Sequence, residues 1–223
     1  FEDDLSIAAI NGPRNLVVAG GSAAMQRFDQ ALQAQGVSTR PLRIADAFHS
    51  PRMDAVLDDF ERSVAQVTLH APRMPVVSNL YGRVVADDEI TRPRYWCDHL
   101  REPVLFAAGV DCLARELQVD VLLECGPHPV LARLAADCLG SDTDIDCIAT
   151  LKRELDDQTQ WLLAAGRLYT RGVSLAWLGL GGGLPARRVP LPGYPFARQR
   201  YWLEAVDRGL HGGAASASAA APA

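Results

Sequence analysis

Two short apolar runs, residues 120–125 (DVLLEC) and 146–150 (DCIAT), flank a stretch in which Val130, Leu131, Leu134 and Cys138 recur at helical spacing after Pro129. Runs of strand length without polar alternation suit strands covered on both faces, and a helix between two of them suits a parallel crossover. A further buried strand is expected at 74–79 (MPVVSN), and Phe106, Val110, Leu113 and Leu117 mark a helix between it and residue 120. Helices alternating with apolar strands predict a parallel α/β layer.

The segment before residue 46 has a different order. Residues 5–10 (LSIAAI) and 15–19 (NLVVA) read as strands joined by the turn chemistry of NGPR. Ser22 is placed to cap a helix that carries Met25, Phe28, Ala31 and Leu32 on one face and stops at Gly36. Residues 38–44 are expected to return as a strand. Strand–strand–helix–strand fits part of a ferredoxin-like sheet, with a first strand and helix expected before Phe1. Since Phe1 is not a methionine, the chain is expected to start inside a longer reading frame. The most periodic helix follows: Ser50 as N-cap, Pro51 at the first position, then Met53, Val56, Leu57, Phe60 and Val64 on one face. Another helix is expected near 156–171, with Trp161, Leu162, Ala165, Leu168 and Tyr169 inward and Gly172 as its stop. After Trp177 the sequence becomes rich in Gly, Pro, Arg and aromatics, and it ends in the low-complexity GGAASASAAAPA.

Composition narrows the function classes. The net charge of −5 and the absence of any Lys/Arg run give no footprint for nucleic acid. No apolar stretch is long enough to span a bilayer. The five cysteines, Cys97, Cys112, Cys125, Cys138 and Cys147, are odd in number and form no C-x-x-C pair. Buried structural thiols in a reducing cytoplasm are therefore expected, without a metal or disulfide framework.

One histidine stands out. His49, in IADAFHSPRMD, sits just before a helix cap, where the partial positive charge of the helix start disfavours imidazolium. A neutral imidazole at the mouth of a loop suits a general base, but on local context alone packing beside a helix start is the commoner explanation. His70 and His211 read as surface or linker residues. His128, in GPHP, has nothing converging on it, and His99, in YWCDHLREPV, reads as structural unless it supports His49. A base needs a nucleophile. Ser50 is better used as a cap, Ser78 ends a strand, and no serine lies in a G-x-S-x-G elbow. Gly181-Gly182-Gly183 reads as a flexible joint, since no phosphate-cradling pattern surrounds it.

Several stretches together resemble the acyltransferase domain of modular type I polyketide synthases. They are AAINGPRNLVVAGG, DAFHSPRMD, PVVSNLYGRVV, YWCDHLREPVLFAAGV, LLECGPHPVLARLA and the post-domain linker VPLPGYPFARQRYWLE, in order from about residue 5 to 204. The resemblance implies the C-terminal part of an α/β-hydrolase-like large subdomain with a partial ferredoxin-like small subdomain, followed by an extended linker. It implies boundaries at 1–45 for the small subdomain, 46–178 for the large one, 179–204 for the linker and 205–223 for a flexible Ala/Gly/Ser tail.

The resemblance also implies a mechanism. A serine in a GHSxG elbow takes an extender acyl group from its coenzyme A thioester. It then passes that group to the phosphopantetheine thiol of an acyl carrier protein. His49 matches the histidine that deprotonates the serine, protonates the departing thiol and activates the incoming one. His99 falls where related transacylases orient that histidine through a backbone carbonyl. Ala47 and Phe48 fall at substrate-side positions, where HAFH in place of YASH goes with malonyl over methylmalonyl units. Here Asp46 replaces the first His of that motif, which weakens the malonyl assignment. Malonyl-CoA is the implied substrate, with no cofactor held by the chain. The implied partners are an N-terminal half of the domain carrying the serine, a ketosynthase met through residues 189–204, and the carrier protein. The family's serine, its carboxylate-gripping arginine and its oxyanion-hole loop are expected before Phe1, and none of Arg92, Arg94 and Arg101 matches that arginine. A base without a nucleophile should not turn over, so the chain alone is expected to be inactive. The alternatives are a non-catalytic fragment docking on ketosynthase through Tyr194, Phe196, Tyr201 and Trp202, a freestanding transacylase, or hydrolytic release of stalled acyl groups.

Overall fold

The computed structural model describes residues 5–42, 47–180 and 189–199. Expectations for Arg43 and Ile44 of the third strand, for Asp46, for Gly181-Gly182-Gly183, and for Tyr201, Trp202, His211 and the tail lie outside the described residues. The chain divides after Leu180 into two compact units.

The first unit opens with the expected hairpin, β1 (Leu5–Gly12) antiparallel to β2 (Asn15–Gly20). Helix α1 (Ser22–Ala34) follows with Gly21, not Ser22, as its N-cap; Ser22 is already the first helical residue. The helix closes as Gly36 requires. With φ +73 that glycine lets its own N–H reach Gln33 O at 3.0 Å and the Val37 N–H reach Leu32 O at 2.9 Å, a Schellman closure. The expected strand over 38–44 does not form over 38–42. Thr39 is tied by its hydroxyl to Asp29 on α1, and Pro41 has no N–H to give a ladder.

The 3-10 turn Pro51–Met53, capped by Ser50, leads into α2 (Asp54–Val64), whose own N-cap is Met53. Met53, Leu57, Phe60 and Val64 are half-buried, but Val56 is exposed. The run at 74–79 is corrected more strongly. Only Val77–Ser78 (β3) forms a strand, paired antiparallel with Arg83–Val84 (β4), and Met74 is 76% exposed. The NLYG sequence turns the chain too soon for a longer strand, with the Gly82 N–H donating to Ser78 O at 2.7 Å. Gly82 has φ +64, and a Cβ there would lie 2.5 Å from the Ala108 Cβ. Strain at such a φ costs a non-glycine residue about 1–2 kcal/mol before the clash is counted. Gly82→Ala should therefore lower the melting temperature by several degrees in calorimetry; an unchanged melt would contradict this close approach.

Short α3 (Asp87–Ile90) precedes α4 (Pro93–Arg101), which packs against α2. Tyr95, Leu80 and Val85 form a buried cluster with Ile90 and Trp96 against it, and Tyr95 shares a 2.8 Å hydrogen bond with the buried Ser78. Helix α5 (Phe106–Asp111) runs on into a π turn over Cys112–Glu116. The α/β layer appears as β5 (Val121–Glu124) parallel to β6 (Asp146–Ala149), joined through α6 (Leu131–Leu139). On α6 the buried face is Ala132 and Ala135; Val130 and Leu131 are exposed. The Glu124 carboxylate accepts from the N–H groups of Val130, Leu131 and Ala132 at 3.2, 3.1 and 2.8 Å, which fixes the rotation of this helix start. On α7 (Asp157–Thr170) Ala165 is buried and Leu168 half-buried as expected, with Ala164 buried beside them, whereas Trp161, Leu162 and Tyr169 are exposed. Short α8 (Trp177–Leu180) closes the unit. Among the described residues no helix is long and apolar enough to cross a membrane.

In the second unit, described residues 189–199 form neither helix nor strand. Tyr194 and Phe196 are exposed and meet edge to face, ring centroids 4.8 Å apart.

Candidate active site

His49 lies just before the 3-10 turn, with φ +57. Left-handed geometry is uncommon for a side chain larger than glycine and recurs at functional sites. Three contacts hold it. Its backbone N–H donates to Leu100 O at 3.2 Å, and its own carbonyl accepts from the Ser6 hydroxyl at 3.3 Å. Its ring Nδ1 lies 2.8 Å from Glu102 O. A carbonyl oxygen only accepts, so Nδ1 carries the hydrogen, and in the neutral ring Nε2 carries the lone pair. The last turn of α4 thus sets both where the ring sits and which nitrogen is basic.

The carbonyl that orients His49 belongs to Glu102, not to His99, three residues earlier. His99 reaches the same place through its side chain. Its ring stands edge-on to His49, centroids 6.4 Å apart, and is flanked by Tyr95 at 6.0 Å and Trp96 at 6.5 Å. Burial first, and then the neighbouring His49 ring, push the His99 imidazole below its ordinary pKa. Residue-by-residue reading overlooked Leu100, Glu102 and Ser6. The available signal was the Glu102-Pro103 dipeptide, since a residue before proline is pushed out of the helical region.

Phe48 is 45% exposed beside His49, and Ala47 is half-buried, its carbonyl accepting from the Ser50 hydroxyl at 2.5 Å. Ser50 is 1% exposed and also accepts from the Arg52 N–H at 3.3 Å, so its hydroxyl serves the cap. Ser78 is spent on Tyr95 and the Leu80 N–H. Arg101 pairs with Asp54 at 2.5 Å, Arg94 with Asp98 at 2.8 Å and Arg92 with Asp88, so none of the three is presented as a lone anion site. His70 is exposed, as expected. The His128 Nδ1 is buried without a hydrogen-bond partner among the described residues. Cys97 and Cys112 are buried, and burial raises both thiols; Cys125 is exposed, contrary to the expectation of burial throughout.

A family profile described as "Acyl transferase domain" matches residues 1–174, and the chain belongs to that family. It is 38% identical over 203 residues to polyketide synthase GfsA of Streptomyces halstedii, covering 91% of this chain and 3% of that protein. It is 32% identical over 209 residues to erythronolide synthase EryA2 of Saccharopolyspora erythraea, covering 92% of this chain and 6% of that one. In structure it is similar to the acyltransferase domain from the second module of the salinomycin polyketide synthase, with TM-score 0.74 and 34% identity over 84% of this chain and 44% of that domain. It is also similar to a malonyl-CoA:acyl carrier protein transacylase of Xanthomonas oryzae, with TM-score 0.64, 26% identity and 75% and 49% coverage. Within the family it stands with the acyltransferase domains of modular type I polyketide synthases. Their mixed α/β fold is that of this chain, which spans less than half of the salinomycin domain.

Proposed function

We propose that this chain supplies the general base, and part of the acyl pocket, of a polyketide synthase acyltransferase that moves a malonyl unit from coenzyme A to an acyl carrier protein. One observation carries the reading: the Nδ1–H of His49 is held by Glu102 O, which leaves Nε2 free to accept a proton. The nucleophilic serine belongs to an N-terminal half of the domain. Residues 1–45 then contribute to a ferredoxin-like small subdomain and residues 46–178 to an α/β-hydrolase-like large one. The likeness to polyketide synthases and to a transacylase supports this assignment.

In the first half-reaction Nε2 takes the serine proton as the serine oxygen adds to the thioester carbonyl. The tetrahedral adduct collapses with loss of the coenzyme A sulfur, which receives that proton, and an acyl-serine remains. In the second half-reaction Nε2 takes the proton of the phosphopantetheine thiol as its sulfur attacks the acyl-serine, and returns it to the serine oxygen. Phe48, exposed beside the base, forms the wall that a 2-methyl branch would meet. Residues 189–204, with Tyr194 and Phe196 exposed, are the surface offered to ketosynthase.

The test is complementation. The 223-residue chain mixed with a serine-bearing N-terminal half should transfer malonyl groups to carrier protein, and the chain alone should not. Transfer by the chain alone, or none by the mixture once the two halves are seen to associate, would sink the reading.

A further inference from the structure

Helix α4 stops at Arg101, and the reason is local. Glu102 has φ −83 and ψ 160. That ψ is in the extended range that a following proline imposes by clash with its ring. Pro103 also lacks the N–H that would have closed a helical bond on the carbonyl of His99. Helix ends leave carbonyls without internal donors, and something else must satisfy them. At this end His49 satisfies two. Leu100 O takes its backbone N–H at 3.2 Å and Glu102 O its ring Nδ1–H at 2.8 Å.

Beyond the proline the chain is anchored. The Val104 N–H donates to Ala8 O at 2.9 Å, and Val104 O accepts from the Ile10 N–H at 2.8 Å, both on β1. The Leu105 N–H donates to Asn79 O at 2.7 Å. Glu102 and Pro103 thus link a packed helix to an anchored extended segment, and the ψ of Glu102 decides where its carbonyl points. Were Glu102 helical, that carbonyl would lie along the α4 axis with the others, away from a ring beside the helix end. The exposed Glu102 side chain takes no part in this contact.

We propose that Pro103 is the positioning residue of His49: by barring a helical ψ at Glu102 it turns the Glu102 carbonyl onto Nδ1 and so places the neutral ring's lone pair on Nε2. The inference rests on the reading of His49 as the base and adds the residue that selects its tautomer.

Long-range proton–nitrogen NMR of the 223-residue chain, 15N-labelled at histidine, distinguishes protonated from unprotonated ring nitrogens. It is run well above the imidazole titration range, with His49→Ala used to assign the His49 signals. The wild-type chain should show His49 protonated at Nδ1. In Pro103→Ala that tautomer should no longer dominate, whereas Glu102→Ala, which keeps the backbone carbonyl, should leave it unchanged. If Pro103→Ala does not fold by circular dichroism, Pro103→Val is read instead, with the same loss expected. Retention of the wild-type tautomer in a folded position-103 variant would overturn the proposal, as would its loss in Glu102→Ala. None of these readouts depends on turnover. They therefore fail separately from the base assignment, which activity of His49→Ala tests.

Discussion

Replacing His49 by alanine in the completed domain should cut acyl transfer about a hundred- to ten-thousand-fold, the range a positioned general base contributes. Both half-reactions should suffer, because the same nitrogen handles the proton in each. Formation of the acyl-serine should slow, and so should its discharge to the carrier. Coenzyme A thioester binding should change little, since nothing places the ring in ground-state binding. The backbone bonds to Leu100 and Ser6 survive the substitution, and what is lost is the ring bond to Glu102 and the edge contact with His99. The fold should therefore persist. Single-turnover assays of each half-reaction, with circular dichroism as a control, make the measurement. Transfer at the wild-type rate would remove His49 from the mechanism.

Phe48→Ser should admit methylmalonyl units better. One methyl against a pocket wall is worth about 1–3 kcal/mol, roughly a ten- to two-hundred-fold change in the ratio of the two extender units. The effect should appear as a gain for methylmalonyl in competition, with malonyl transfer largely kept. Phe48 is 45% exposed, so its removal opens space at the surface of the site without excavating a core. That separates a selectivity effect from a folding effect. An unchanged ratio in a competition assay with both thioesters would mean that the ring only packs.

His49 drew notice in the sequence because a cap and a proline follow it, whereas its role as base and the selectivity role of Phe48 came only from the resemblance to the acyltransferase family. The helices at 22–34, 54–64 and 157–170, with glycine stops at Gly36 and Gly172, were legible for the same kind of reason, since local chemistry ends a helix. The buried face was legible on α2, where Met53, Leu57, Phe60 and Val64 turn inward, but only in part on α6 and α7. On α6 and α7 the large apolar residues Leu131, Trp161 and Leu162 are exposed and alanines are buried. Periodicity says that a face exists, but it does not say that small residues occupy the close contact. The strand expected at 74–79 shrank to two residues, because the turn at Gly82 acts on the pairing register and the apolar run does not reveal it. The role assigned to the His99 backbone fell to Glu102 for a similar reason. Chain spacing brought the right helix end, and the pre-proline geometry chose which carbonyl faces the ring.

The left-handed turn at His49, bonded at both its backbone and its ring to a single helix end, has a consequence for the rhythm of turnover. A base that serves two different thiols in succession must return to the same state between them. On the proposed reading of His49 as that base, Nδ1–H can stay on Glu102 O while Nε2 handles the proton, so the ring need not flip, change tautomer or search rotamers between the departure of one thiol and the arrival of the next. The reset of this site is then an exchange of bound partners and not a rearrangement of the catalyst.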